Sequence, residues 1–294
     1  SFSRTKKVPK NADLVHYPYF NQFFLTLPLR KPFPTVVTVH DLIPLVFPEH
    51  FPVGIRGRLK WYIQKWSLTG ASAIIADAQS SKKDIIRFTG IDNKKIHVLH
   101  LAPGQEFKKL EVRSEQLEVR QKYNLPEKFV LYVGDVIWSK NVPNLIKAIK
   151  TINVSLVMIG KQAAAADFDK SHPWNKDLVI LNREAEGDQR IIRLGFVPTD
   201  DLIVIYNLAT LFIMPSFYEG FGLPILEAMS CGCPVVTTKK GSLPEIAENA
   251  AYYIDPDNVN NIANGIGEVF FNAKLQRDLS RRGLVQAKKF TWRK

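Results

Sequence analysis

Short apolar runs recur along the chain, and stretches of helix-like pattern separate them. The runs that we predict to be strands are residues 36–39, 73–76, 96–99, 129–133, 155–159, 191–194, 211–214, 235–238 and 251–254. Several of them are continuous runs of Val, Ile, Leu or Phe, which is typical of parallel strands covered on both faces. The repeated alternation of strand and helix predicts an α/β fold.

A polar stretch at about residues 108–128 divides the predicted strands into two groups. A chain of 294 residues has room for two domains of ordinary size. We therefore predict one domain over residues 1–107 and a second over residues 108–294.

The segment at residues 216–234, SFYEGFGLPILEAMSCGCP, combines several signals. The apolar run 211–215 before it predicts a buried strand. Pro224 suits the first turn of a helix, where a missing N–H does no harm. Gly220 and Gly222 let the backbone approach a ligand because they carry no Cβ. The segment predicts a strand, a glycine turn and a helix N-terminus, whose free N–H groups attract phosphate or sugar oxygens.

Two glutamates flank this turn: Glu219 precedes it, and Glu227 lies about one helical turn into the predicted helix. A carboxylate only accepts hydrogen bonds, which suits it to holding paired hydroxyls. We predict that Glu227 holds the two hydroxyls of a ribose and that Glu219 lies nearer a reacting centre. The alternative is that Glu219 caps the helix and that Glu227 is a solvated helix residue.

These two acids resemble the Glu-x7-Glu motif of the retaining nucleotide-sugar glycosyltransferases of family 4. Residues 35–44, TVVTVHDLIP, resemble the family's strand that ends in a His-Asp pair. Residues 129–141 resemble the strand and phosphate loop that open its second domain, and residues 194–202 resemble the segment that lines its base pocket. The resemblance covers most of the chain and implies the GT-B architecture, in which two Rossmann-like domains with parallel sheets face a cleft.

The resemblance also implies roles for single residues. His40, Asp41 and Glu219 would be catalytic, with His40 in contact with the donor sugar. Lys140 would be a cation for the leaving diphosphate. The donor-binding residues that the resemblance implies are Gly134, Lys140, Val197, Gly220, Phe221, Gly222, Leu223 and Glu227. The alternatives are that Lys140 is a surface lysine and that His40 is a hydrogen-bonded structural residue.

One residue departs from the family pattern. The family commonly places an arginine directly after the loop glycine, whereas this chain has Asp135. A carboxylate pointing inward would repel a diphosphate, so either Asp135 points away or another basic residue substitutes for the arginine.

The resembled enzymes generally use protein cations and helix dipoles, so no metal or other cofactor is expected. Asp255-Pro-Asp257 superficially matches a metal motif but is typical of a turn. The family mechanism is usually argued as same-face attack, in which Glu219 would anchor a sugar hydroxyl. Double displacement would need a carboxylate nucleophile, and Glu219 is the candidate by position.

The net charge of +12 lies mainly in the first domain. Residues 1–107 hold 15 Lys or Arg against 7 Asp or Glu, and residues 108–294 hold 25 against 21. A basic face attracts anionic lipid, nucleic acid or a phosphorylated substrate, although solubility alone is an alternative. No nucleic-acid recognition motif stands out, so no nucleic-acid partner is expected.

Residues 54–66, GIRGRLKWYIQKW, mix four cations with three aromatic residues. On a helix, one apolar face would consist of Leu59, Tyr62, Ile63 and Trp66. This pattern suits an interfacial helix on anionic lipid. An amphipathic helix packed on the core, with its cations merely solvated, is the alternative.

The remaining sequence signals concern location and completeness. No apolar stretch of transmembrane length and no signal sequence are visible, and Cys231 and Cys233 lie too close for an ordinary disulfide. These features predict a cytoplasmic protein. The basic first domain and the helix at residues 54–66 add the prediction of a peripheral position on the inner face of a membrane. Residues 13–16 resemble a mid-domain strand, so the first domain is short for the family. We expect either a chain trimmed at both ends, which would lack the acceptor loop, or a natural short form.

The predicted function is that of a retaining glycosyltransferase that moves a hexose from a nucleotide sugar to a glycan or lipid-linked acceptor. The resemblance to bacterial mannosyltransferases favours GDP-mannose over a UDP sugar. The alternative is a non-catalytic nucleotide-sugar-binding or assembly subunit.

Overall fold

The structure, a computed structural model, describes residues 11–111 and 114–292, apart from the side chains of residues 114 and 115. The chain forms two units, which divide between His100 and Leu101. This division lies somewhat before the boundary predicted at residues 107 and 108.

The first unit contains a four-stranded parallel sheet in the order β1-β2-β3-β4. Its elements are β1 (Val15–Tyr17), β2 (Thr35–Val39), α1 (Ile43–Val46), α2 (Gly54–Thr69), β3 (Ala73–Ala76), α3 (Gln79–Thr89), a 3-10 helix (Asn93–Lys95) and β4 (Ile96–Val98). Buried aliphatic side chains of β2 and β3 form its core with Leu68 of α2 and Ile85 of α3.

Helix α2 is held on this core by a buried glutamine. The side-chain oxygen of Gln64 accepts hydrogen bonds from the backbone N–H groups of Thr26 and Leu27, at 3.0 and 3.1 Å. Since Gln64 is fully buried, these bonds satisfy a polar group that would otherwise destabilise the fold. They fix which face of α2 meets the core.

The second unit contains a six-stranded parallel sheet in the order β10-β9-β8-β5-β6-β7. Its elements are α4 (Ser114–Lys122), β5 (Val130–Val133), a 3-10 helix (Trp138–Lys140), α5 (Val142–Ile152), β6 (Leu156–Ile159), a 3-10 helix (Pro173–Asn175), α6 (Lys176–Ala185), β7 (Ile191–Gly195), α7 (Thr199–Leu208), β8 (Leu211–Met214), α8 (Leu223–Ser230), β9 (Val235–Thr238), α9 (Leu243–Ala247), β10 (Ala251–Ile254), α10 (Val259–Phe270) and α11 (Ala273–Ala287).

The central strands of this sheet are buried along their whole length, because helices cover both faces. Every run that we predicted to be a strand forms one, within a residue or two at its ends. The predicted α/β fold with parallel sheets is therefore confirmed.

Candidate functional site

The order of the strands in the second unit defines where a ligand can bind. Counted along the chain from β5, the sheet reads 3-2-1-4-5-6, the order of a dinucleotide-binding Rossmann fold. The chain runs outward in opposite directions from β5 and from β8, so the loops at their carboxyl ends separate and leave a crevice. The predicted phosphate loop follows β5, and the predicted Glu-x7-Glu segment follows β8.

An ion pair joins these two loops. The Nζ atom of Lys140 donates to both carboxylate oxygens of Glu219, at 2.7 Å each. The hydroxyl of Ser216 donates to Oε1 of Glu219 at 2.6 Å. Glu219 is 5% exposed, and the side chain of Lys140 is 21% exposed. A carboxylate at this depth requires charge-assisted partners, and the fold supplies them from both loops.

The backbone of Glu219 is also fixed, by the loop that follows β9. The N–H of Ser242 donates to the carbonyl of Glu219 at 3.2 Å, and the hydroxyl of Ser242 donates to the carbonyl of Phe221 at 2.7 Å. Gly241 has φ +57°, and a Cβ on it would lie 2.6 Å from the carbonyl oxygen of Glu219. Only glycine allows this close approach of the two backbones.

Helix α8 begins as the sequence predicts. Gly222 precedes it with φ 95°, and Pro224 lies in the first turn. No side chain caps the helix, because the carboxylate of Glu219 binds Lys140 instead. The alternative that Glu219 is a helix cap is therefore wrong.

Further contacts hold the loops after β5 and β8 together. Asn141, in a left-handed conformation with φ 58°, donates through its side-chain amide to the carbonyl of Pro215 at 3.0 Å. The N–H of Phe217 donates to the carbonyl of Ser139 at 2.8 Å. The rings of Phe217 and Trp138 stack with centroids 4.9 Å apart. The two loops thus form one preorganised surface.

Glu227 lies on α8 and is mostly buried. The hydroxyl of Tyr206 donates to Oε2 of Glu227 at 3.0 Å. Burial raises the pKa of the Glu227 carboxyl, and the charge of Glu106 acts in the same direction, while the hydrogen bond from Tyr206 lowers it. The alternative that Glu227 is a solvated helix residue is wrong. A carboxylate has about four acceptor positions, so this one can accept hydroxyl donors from a ligand.

The other predicted donor-binding residues lie at the same edge of the sheet. Gly134 directly follows β5, Val197 follows β7, and Gly220 to Leu223 follow β8. Val197 and Phe221 are buried, and the ring of Phe221 packs edge-on against Phe290 with centroids 6.2 Å apart. The roles of these residues in donor binding remain predictions.

The side chain of Asp135 is solvent-exposed. Its backbone carbonyl accepts a hydrogen bond of 2.6 Å from the hydroxyl of Tyr132, which fixes the turn after β5. The departure from the family pattern therefore does not bury a negative charge in the loop.

In the first unit, His40 follows β2 and binds two acceptors. Its Nδ1 lies 2.7 Å from Oδ2 of Asp77, and its Nε2 lies 3.1 Å from the carbonyl of Pro18. The hydrogen bond to Asp77 raises the pKa of His40 above its ordinary value, against the opposing effect of burial. Oδ1 of Asp41 accepts from the N–H of Ile43 at 3.0 Å, a local turn that opens α1. The catalytic roles of His40 and Asp41 remain predictions.

Helix α2 turns an apolar face to solvent. Leu59, Tyr62 and Trp66 are each more than 60% exposed, and Ile63 is half-buried. The alternative that this face packs on the core is wrong, because the core receives the opposite side of the helix. Within the described residues, no helix has both the length and the apolar character to cross a bilayer.

The candidate metal motif lies in a turn, and the two cysteines lie in the interior. Across residues 11–111 and 114–292, no three metal-ligating side chains come together. The N–H of Asp257 donates to Oδ1 of Asp255 at 3.1 Å, as in the predicted turn. Cys231 and Cys233 are free and buried. Burial raises the pKa of Cys231 to about 12, so its thiol stays protonated.

The sequence reasoning missed Ser216, Gly241, Ser242 and Asp77. A signal was present for two of them, since Gly-Ser-Leu-Pro at 241–244 follows a buried strand much as Gly-Leu-Pro does at 222–224. Asp77 directly follows β3, as His40 directly follows β2. Polar residues at the carboxyl ends of neighbouring parallel strands meet, and this rule would have paired them.

Comparisons with known proteins agree with this geometry. The family described as glycosyl transferases group 1 matches residues 104–285, and glycosyltransferase family 4 matches residues 3–102. Among solved structures, sucrose-phosphate synthase from Thermosynechococcus elongatus is 22% identical with a TM-score of 0.74, covering 95% of this chain and 70% of that chain. Anabaena Alr3699/HepE in complex with UDP-glucose is 22% identical with a TM-score of 0.75, covering 94% and 74%. The fold is thus that of the GT-B glycosyltransferases.

Two curated relatives are bacterial mannosyltransferases. The serotype-specific mannosyltransferase WbdA of Escherichia coli is 32% identical over 265 residues, which are 89% of this chain and 32% of the relative. The O-antigen chain mannosyltransferase B of Escherichia coli is 34% identical over 262 residues, 87% of this chain and 66% of the relative. The chain spans about a third of the first relative's length and just under two thirds of the second's. This chain belongs to the group 1 glycosyl transferases.

Proposed function

We propose that this chain carries the nucleotide-sugar site of a retaining glycosyltransferase that moves a hexose to a glycan or lipid-linked acceptor in polysaccharide biosynthesis. The observation that carries the proposal is the pairing of Lys140 with Glu219 between the two loops at the switch point of the sheet. The names of the two curated relatives, both mannosyltransferases, support mannose as the sugar. GDP-mannose is the donor that we propose from the sequence resemblance.

Lys140 would stabilise the leaving diphosphate. Negative charge builds on this group as the bond to the anomeric carbon breaks, and preplaced cations and N–H groups lower the barrier. An ammonium group has three donors, of which two already meet the carboxylate of Glu219. The third would remain for a phosphate oxygen, so Glu219 would hold Lys140 in position and leave one N–H of the ammonium group for the diphosphate.

Glu219 would anchor a sugar hydroxyl and would not attack the sugar. Its two oxygens already accept two contacts from Lys140 and one from Ser216. These contacts occupy lone pairs that an attack on the anomeric carbon would need, which favours same-face attack over double displacement. The protein can be incubated with a slowly reacting donor, quenched and analysed by mass spectrometry. A glycosyl group covalently bound to Glu219 would contradict same-face attack.

Donor identity is tested by measuring Tm with GDP-mannose, UDP-glucose, GDP and UDP. A ligand at about 100 times its Kd stabilises the folded state by about 2.7 kcal/mol. We expect GDP-mannose to give the largest rise, and a larger rise with UDP-glucose would reassign the donor. No rise with any of the four would contradict the proposed site.

Binding and transfer are separated by a second assay. Incubation of the protein with an acceptor extract and a radiolabelled form of the donor that binds should give a labelled glycan. Tight donor binding without transfer would favour a nucleotide-sugar-binding or assembly subunit instead.

We also propose that α2 docks on an anionic membrane that carries the acceptor. Its exposed face of Leu59, Tyr62 and Trp66 is flanked by Arg56 and Arg58, a combination that inserts into the headgroup region of anionic lipid. Such docking would place the protein at the inner face of the membrane.

Flotation with liposomes containing phosphatidylglycerol tests the membrane proposal. We expect binding that falls when Tyr62 and Trp66 are both changed to Ser. The matched control is Phe271→Ser, which removes an equally exposed aromatic ring from the second unit. Binding that ignores anionic lipid, or that both variants reduce equally, would contradict the proposal.

A further inference from the structure

The pair of His40 and Asp77 is a buried carboxylate facing a titratable ring. The side chain of Asp77 is only 3% exposed, while that of His40 is 43% exposed. Nδ1 of His40 lies 2.7 Å from Oδ2 of Asp77. Oδ1 of Asp77 has no hydrogen-bond partner among the described residues, so His40 is the partner that compensates this buried charge.

The second ring nitrogen also meets an acceptor. Nε2 of His40 lies 3.1 Å from the carbonyl oxygen of Pro18. A neutral imidazole carries one N–H and can donate to only one acceptor, whereas the imidazolium donates to both. A carboxylate on one side and a carbonyl on the other therefore stabilise the doubly protonated, positively charged ring.

The other groups around the ring act in the same direction or are neutral. The charge of Asp41, the next residue in the chain, adds to that of Asp77. The ring of Tyr19 lies with its centroid 6.4 Å from that of His40. The hydroxyl of Ser81, on α3, donates to the backbone carbonyl of His40 at 2.9 Å and so fixes its main chain. The pair is thus held from two strands and a helix.

We propose that Asp77 is a positioning residue that keeps the His40 ring protonated on both nitrogens, so that Nε2 acts in the reaction as a hydrogen-bond donor to a substrate oxygen and not as a base. The part that concerns the substrate rests on the proposed function. A substrate oxygen would take the place of the Pro18 carbonyl as the acceptor, while the bond from Nδ1 to Asp77 stays intact. No proton is transferred in this role.

The first test is independent of any activity. In Asp77→Asn the amide keeps the shape of the carboxylate but loses its charge. NMR titration of the His40 ring nitrogens should show that the pKa of His40 falls from its raised position. The control Asp13→Asn removes an exposed carboxylate from the same unit and should leave the titration unchanged. An unchanged pKa in Asp77→Asn would overturn the proposal.

The second test measures catalysis against pH. Transfer by the unsubstituted protein should fall as pH rises through the raised pKa of His40, because Nε2 then loses its proton. In Asp77→Asn this fall should move to lower pH. At pH values above the new midpoint, kcat should drop about tenfold, because one charge-assisted hydrogen bond is lost. A merely structural role would lower kcat without moving the pH profile.

A double substitution tests whether Asp77 acts through His40. In a His40→Gln background, Asp77→Asn should cause no further change in the pH profile, because the group through which Asp77 acts is absent. An equal shift in both backgrounds would overturn the proposal. If no nucleotide sugar binds at all, the proposed function fails while the NMR titration still decides the coupling. If donor binds and the titration shifts but kcat and its pH profile do not, the positioning role fails alone.

Discussion

Each of the two units has a carboxylate paired with a cation, but the cation is a lysine in one unit and a histidine in the other. In each, a carboxylate and a cation follow two neighbouring strands of a parallel sheet and meet at 2.7 Å: Lys140 with Glu219 in the second unit, His40 with Asp77 in the first. A lysine titrates near pH 10.4 and a histidine near 6.5 in the unfolded chain. The first unit therefore holds the cation whose charge responds to pH near neutrality. The fold sets where the pair lies, and the residue type sets when it is charged.

The largest effect should come from removing the carboxylate of the Lys140–Glu219 pair. Glu219→Ala leaves Lys140 without its partner in a partly buried site, and breaking such a pair destabilises a protein by about 3–5 kcal/mol. Urea denaturation, followed in the transition of the second unit, measures this. The control Glu268→Ala, on the exposed face of α10, should change stability by about 0.5 kcal/mol or less. Equal effects would show that the pair contributes little.

The next effect concerns the glycine that lets the backbone of Glu219 lie close. Gly241→Ala places a Cβ 2.6 Å from the carbonyl oxygen of Glu219 and strains a left-handed backbone, and we expect a loss of about 2–4 kcal/mol. Gly187→Ala has a similar φ of +71° but open space around its Cβ, so it isolates the backbone strain. The difference between the two in urea denaturation measures the close contact. No difference would mean that the loop yields freely.

The third effect sharpens the functional side of the comparison. Lys140→Ala should weaken GDP-mannose binding by about 1.5–3 kcal/mol, or ten- to hundredfold, because one charge-assisted contact to the diphosphate is lost. Isothermal titration calorimetry measures it. Lys147→Ala removes an exposed lysine from the neighbouring helix α5 and serves as the matched control. Unchanged affinity in Lys140→Ala would remove this residue from the donor site.

The smallest effect is a gain of stability. The folded-state pKa of Glu227 is raised, chiefly by burial, so the folded protein binds this proton more tightly than the unfolded chain. Stability is then lost as pH rises through the window above the ordinary glutamate value of about 4.3. Glu227→Gln removes that loss and should raise Tm by about 2–4 °C at pH 7.5 but not at pH 4. It should also weaken donor binding, and a lower Tm at pH 7.5 would contradict the prediction.

Much of the fold could be read from local pattern. The apolar runs alone predicted the strands, because a short run of β-branched or aromatic residues that is buried on both faces usually forms a strand. Gly222 and Pro224 likewise marked the start of α8, since each restricts the backbone of its own residue. The apolar face of α2 could also be predicted from neighbouring residues in the chain. Whether that face is buried or exposed could not, because exposure depends on how the helix packs.

The amino-acid sequence by itself determined the parallel α/β units, the turn before α8 and the presence of two acids around it, because these depend on residues close together in the chain. Only the tertiary structure decided that Glu219 pairs with Lys140, 79 positions away, and that Asp77 faces His40, 37 positions away. Such partners meet only when strands that are distant in sequence lie side by side in a sheet. The burial of Glu227 and its hydrogen bond from Tyr206 were decided in the same way, because the surroundings of a side chain depend on the packed fold.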